Sequence, residues 1–124
     1  MFRAPVIFIS ILTLSACYYD SEEFLFPEVN TDCDTTAVTF SGSVKPILEQ
    51  YCLRCHSNSN ANTLGSGFKL QDHSNVQVYA NNGSLYGSIT HMDGYVPMPH
   101  DGGKLNNCDI AIIKSWIDDG SPNN

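Results

Sequence analysis

Cys52-Leu53-Arg54-Cys55-His56 concentrates reactive side chains more than any other stretch of the chain: two thiols three positions apart, then an imidazole. Three chemistries use such residues. Zinc takes four ligands, commonly from two cysteine knuckles or from one knuckle and a later histidine pair. Here the other cysteines are isolated and no closely spaced histidine pair follows. A thioredoxin-like dithiol sits within a strand–helix–strand pattern, whereas this pair ends a helical stretch in surroundings poor in strand signals. The third chemistry is covalent haem attachment, for which Cys-x-x-Cys-His is the sequence signature. Cysteines separated by two residues face the same side of one turn, so both sulfurs reach the two vinyl groups of one porphyrin and add across them as thioethers. The adjacent His56 is then held beneath the iron, where an imidazole nitrogen binds axially. The stretch favours haem, with zinc and the dithiol as alternatives.

A second axial ligand comes from the chain or the sixth position stays open. Met92, Met98, His73, His91 and His100 are the candidates. Met98 lies between Pro97 and Pro99, and a proline on each side restricts the backbone without a helix or strand. Met98 is therefore the leading distal ligand, His91 and His100 are its main rivals, and Met92 stands behind them. His73 reads as a surface histidine near a short helix.

The elements that must carry these residues are helical. Val44, Ile47, Leu48 and Tyr51 recur at helical spacing and form one apolar stripe. Ser43 is the expected cap, with Pro46 in the first turn, where its missing N–H costs nothing. This helix delivers the chain into Cys52. Residues 57–72 are rich in Ser, Asn and Gly and read as a loop. Asn75–Ala80 and Leu85–Ile89 are short helical candidates, and Asp93–Lys104, with two prolines and three glycines, holds no regular element. The last helix starts after Asn106, a good cap, with Asp109 placed as in a capping box. Its apolar residues are Ile110, Ile113 and Ile117, with Trp116 beside them, and Gly120 and Pro122 end it. Asp118 and Asp119 lie at the negative end of the helix dipole, the unfavourable place for an acid.

The N-terminus has a different character. Met1-Phe2-Arg3 is a short positive start, and the apolar run to Leu14 is too short to span a bilayer but suits a signal peptide. Leu14-Ser15-Ala16-Cys17 resembles a bacterial lipobox, which makes residues 1–16 a lipoprotein signal peptide and Cys17 the lipidated first residue of the mature protein. Acyl chains on Cys17 would tether the protein to a membrane surface. Residues 17–36 read as an acidic tether, in which Phe24-Leu25-Phe26 is an apolar island, and residues 37–124 as the domain. With Cys17 lipidated and Cys52 and Cys55 carrying the cofactor, Cys33 and Cys108 remain; in an exported chain they are expected to form a disulfide. The long loop it closes gives about 4 kcal/mol by chain entropy. At 124 residues the chain holds one small domain at most. Its formal charge of −7 and pI near 4.7 argue against nucleic acid as a partner, because phosphate neutralisation needs Lys and Arg.

Taken together, Cys52-Leu53-Arg54-Cys55-His56, Val96-Pro97-Met98-Pro99 and the Gly102-Gly103…Trp116-Ile117…Gly120 ending resemble the small class I c-type cytochromes. The nearest likeness is to those found as bacterial lipoproteins or as modules of larger exported proteins. The resemblance covers about residues 38–121. The haem motif is highly specific, the Met-Pro motif moderately so and the final helix least. It implies an all-α, cytochrome c-like fold with the first and last helices packed together beside one covalently bound haem c. Thioethers would form at Cys52 and Cys55, with His56 as proximal and Met98 as distal ligand. Family members often carry Met-Pro-Pro, and here the third position is His100. A Cys33–Cys108 bridge would tie the leader to the start of the final helix. The implied function is one-electron transfer in the cell envelope rather than enzymatic turnover. The acidic surface would meet a basic patch on a redox partner. A haem-based sensor or ligand-binding lipoprotein, or an accessory haem subunit of a larger envelope oxidoreductase, is the alternative.

Overall fold

A computed structural model describes residues 33–124. The expected signal peptide, the lipid-bearing Cys17 and the Phe24-Leu25-Phe26 island lie outside these residues. The described part is all-α, with no strand among its elements. A π-helical turn, Phe40–Val44, runs directly into α1 (Lys45–Tyr51). The short α2 (Leu53–His56) follows across Cys52, then a long irregular segment, then α3 (His73–Asn81), α4 (Ser84–Ile89) and α5 (Asn107–Asp118). No helix among the described residues is long and apolar enough to cross a membrane.

The first helical segment starts earlier than the apolar stripe predicts, and Ser43 is not its cap. Thr39 is, its hydroxyl accepting from the Gly42 amide at 3.0 Å. The wider opening turn has a packing reason: it carries Phe40 into the core ahead of Val44, and both are buried. Pro46 falls in the first turn of α1 as expected. The stripe holds at Val44, Ile47 and Leu48, while Tyr51 is only partly buried.

The first helical segment meets the last one at its N-terminal turn. Phe40 lies 5.4 Å, ring centroid to centroid, from Trp116, which is fully buried and donates its indole N–H to the Pro122 carbonyl at 2.9 Å. That bond satisfies the one polar atom a buried indole brings with it. His73 packs edge-on against both rings, at 4.8 Å from Phe40 and 5.9 Å from Trp116. Its Nε2 is 3.0 Å from the Ser121 carbonyl. It is therefore a partly buried member of the helix crossing, not the surface histidine its neighbours in the sequence suggest.

In α5, Asn106 caps as expected, accepting from the Asp109 amide at 2.8 Å. Asp109 does not reach back to the cap's backbone; its carboxylate accepts from the Asn106 side-chain amide at 2.7 Å. Ile110, Ile113 and Trp116 are buried, and Ile117 sits at the edge of that face. The acid at the helix's negative end is answered locally, because Lys114 lies 2.6 Å from the Asp118 carboxylate one turn on. That bond holds the Lys114 ammonium above its usual range. Cys33 and Cys108 are bonded, their Cα atoms 5.4 Å apart across a sequence separation of 75. The bridge, with Ser115 Oγ donating to the Thr35 carbonyl, fastens the leader to α5.

Candidate functional site

The described residues form an open cavity of about 1030 Å³, at the upper end of ligand-site volumes. Cys52, Cys55 and His56 line it from the α2 turn, and Met98 and His100 from the irregular segment after α4. Of the five candidates for a second axial ligand, Met98 and His100 are the two that face this space.

The Cys-x-x-Cys-His turn is built by the end of α1. The Cys52 amide closes that helix on the Leu48 carbonyl at 2.8 Å, and the Cys52 carbonyl then accepts from His56 N–H at 2.9 Å and from Cys55 N–H at 3.2 Å. One backbone carbonyl thus gathers all three chemical residues into a single turn. Burial pushes the Cys52 thiol up to about 11, so little thiolate is present at neutral pH. A redox dithiol needs its attacking thiol shifted the other way. Among the described residues no three His, Cys, Asp or Glu side chains are grouped as a set that could hold a metal ion.

His56 is held by a bond the sequence does not announce. Its Nδ1 is 2.9 Å from the Phe68 carbonyl, twelve residues on. A carbonyl only accepts, so Nδ1 is the donor, and in the neutral imidazole Nε2 is then left with its lone pair free. This is the tautomer and the second contact that an axial imidazole requires. The Phe68 carbonyl comes close because residues 57–70 fold tightly back on the turn: Leu70 N–H donates to the His56 carbonyl at 2.9 Å. Gly65 permits that approach. A Cβ there would stand 2.7 Å from the Cys55 carbonyl oxygen, 2.8 Å from His56 Nδ1 and 3.1 Å from Ala61 Cα.

The irregular segment after α4 supplies another part of the lining. Met98 N–H donates to the Ser88 carbonyl at 3.0 Å, tying the Met-Pro segment to that helix. The Tyr95 ring lies flat on Gly87, where a Cβ would come within 2.5 Å of ring carbons. The rim is joined across the gap by Arg54, which donates to Asp101 at 2.9 Å. Asp101 also accepts from His100 at 3.1 Å, and these partners, His100 first, hold its carboxyl below the usual range. This commits one ring nitrogen of His100 to the rim. His91 turns its Nε2 to the Met98 carbonyl at 3.1 Å.

The walls are apolar where solvent would otherwise be met. Leu64 is 63 %, Val96 62 % and Phe68 48 % exposed, and all three line the cavity. Large apolar side chains converging on one concavity mark a binding site rather than scattered surface residues. The volume and the largely apolar lining would accommodate a flat, mostly apolar macrocycle, with Cys52, Cys55, His56 and Met98 all on its walls. Gly65, the Phe68 carbonyl, the Tyr95–Gly87 contact and the His91–Met98 bond escape sequence reading. Gly65 and Phe68 sit in a stretch whose Ser, Asn and Gly content signals loop and nothing more, and the other two contacts join the end of α4 to the irregular run that follows it. Comparison of the chain with protein-family models, with curated sequences and with solved structures finds no match.

Proposed function

We propose that the chain is a mono-haem c-type cytochrome that passes single electrons in the cell envelope. The observation that carries this reading is the pairing of a Cys-x-x-Cys-His turn with an imidazole whose Nδ1 is bound to the Phe68 carbonyl, on the wall of a macrocycle-sized apolar cavity. When bound, the haem supplies a one-electron Fe(III)/Fe(II) couple.

The chain's own residues do the rest. Cys52 and Cys55 would hold the macrocycle by thioethers, and His56 would ligate the iron through Nε2. Met98 would ligate it through its sulfur, a pairing that raises the potential relative to two histidines by favouring the reduced metal. Leu64, Phe68, Tyr95 and Val96 would cover the edge and keep water from it. If His56 and Met98 both ligate the iron, the metal would offer no open position to a substrate, which is why transfer is preferred over catalysis. The excess of acidic over basic side chains suits a partner with a basic docking patch, met fast and held weakly. A lipid on Cys17 would keep the carrier at a membrane surface, and Cys33–Cys108 would fasten the tether to the domain.

The test is expression in a host that exports and matures c-type cytochromes. Protein that gains the mass of one macrocycle and a band at the red edge of the ferric spectrum, from sulfur bound to iron, supports the reading. A haem protein that lacks that band and takes up carbon monoxide when reduced, without denaturant, is instead the ligand-binding lipoprotein or sensor.

A further inference from the structure

The end of α4 carries a residue its backbone does not explain. Thr90 ends the helix, His91 N–H donates to the Ser88 carbonyl at 3.2 Å, and Met92 N–H donates to the Gly87 carbonyl at 2.9 Å. Those two bonds define a Schellman cap, whose left-handed residue is usually glycine. Here it is His91, at φ 56°. A side chain with a Cβ is disfavoured in that region, although His and Asn enter it more readily than most. The side chain has a use that glycine could not supply. Its Nε2 is 3.1 Å from the Met98 carbonyl, in a partly buried setting. The carbonyl accepts, so the imidazole donates. The same peptide segment is held on its other side by Met98 N–H bonded to the Ser88 carbonyl at 3.0 Å. Both backbone polar groups of Met98 are therefore fastened to the last turn of α4.

We propose that His91 is a positioning residue that clamps the Met98 backbone so that the thioether stays on the iron. It rests on the function proposed above and adds to it the device that keeps the distal ligand in place. An irregular loop with two prolines and three glycines has no ladder of its own to hold a ligand. Two bonds to one helix end supply that restraint. His91 does not line the cavity, so its part is to support the ligand, not to be one.

Two substitutions separate clamp from cap. His91→Gly keeps and even favours the left-handed backbone but removes the donor. His91→Gln keeps a donor able to reach the carbonyl. The measurement is the affinity of the ferric holoprotein for imidazole, which competes with Met98 for iron, read with the red-edge band. Loss of one partly buried neutral hydrogen bond shifts such an equilibrium roughly fivefold to tenfold. The expectation is that His91→Gly binds imidazole more tightly by that factor and weakens the band, and that His91→Gln returns both toward the parent. In a Met98→Ala background, His91→Gly should change imidazole affinity no further, because the restraint then has nothing to hold. A parent protein with the band intact and a His91→Gly variant of unchanged affinity overturns the clamp alone. So does an equal gain in the Met98→Ala background. A parent protein with haem but no red-edge band overturns the distal-ligand reading and the clamp together.

Discussion

Replacing Gly65 by alanine tests the proximal side of the site by adding a single methyl group. Its Cβ would lie 2.7 Å from the Cys55 carbonyl oxygen and 2.8 Å from His56 Nδ1, with Ala61 Cα at 3.1 Å. Two of these neighbours are backbone and cannot swing aside, so the movable one, the His56 ring, must give way. It gives way from the atom bonded to the Phe68 carbonyl at 2.9 Å. Forcing a methyl into a packed site costs about 1–3 kcal/mol, and the lost hydrogen bond about 1 kcal/mol more. For a domain of this size each kcal/mol moves the melting temperature about 4–8 °C, so a fall on the order of 10–25 °C is expected. Gly67→Ala is the matched control. Gly67 has φ 84° and nothing within 4 Å of a built Cβ, so its cost is backbone strain alone, about 1–2 kcal/mol. The assay is thermal unfolding of the two ferric holoproteins followed at the haem band, with the potential measured alongside. A weaker Nδ1–H bond makes the axial imidazole a poorer donor, so the Gly65→Ala potential should rise while that of Gly67→Ala stays put. A Gly65→Ala protein that melts no lower than Gly67→Ala, at the parent potential, would refute the close approach on which the His56 geometry depends.

Replacing Cys33 and Cys108 together by serine should cost about 2–4 kcal/mol, read as a lower denaturation midpoint with a steeper slope, because the uncrosslinked unfolded chain exposes more surface; an unchanged midpoint would count against the bridge. Met98→Ala should abolish the red-edge band, lower the potential and admit carbon monoxide to the reduced protein; retention of the band would move the distal role to another residue. Trp116→Phe removes the donor to the Pro122 carbonyl and part of a fully buried ring, and should destabilise by about 2 kcal/mol in a melt without altering the visible spectrum. Lys114→Ala breaks an exposed pair one helical turn long and should leave the midpoint of a denaturant melt where it is in the parent; a clear fall would show the pair to matter more than an exposed pair should.

The parts of this fold that could be read from the chain are those where one local rule acts alone. Helical spacing gave the stripe at Val44, Ile47 and Leu48, side-chain chemistry gave the Asn106 cap, and proline with glycine gave the irregular run before α5. The cysteine pairing followed from counting. Thr39 rather than Ser43 starts the first segment because burial of Phe40 overrides the local capping preference. His73 is drawn into the helix crossing by Phe40 and Trp116, which are 33 and 43 positions away in the sequence. The Cys-x-x-Cys-His turn was legible because its reactive side chains lie within five consecutive residues. What orients it was not: the bond from His56 to Phe68 and the bond from His91 to Met98 join side chains to main-chain carbonyls, and a carbonyl carries no sequence mark.

The central claim is that two thioethers and one imidazole from a five-residue turn fasten a porphyrin iron in the cavity facing Met98. The most direct measurement is the intact mass of the exported protein together with its reduced-minus-oxidised visible spectrum. The account predicts one covalently attached haem that resists acid–organic extraction, with low-spin bands that sharpen on reduction. Colourless protein with the mass of the bare polypeptide, recovered from a host that matures other c-type cytochromes, would contradict it.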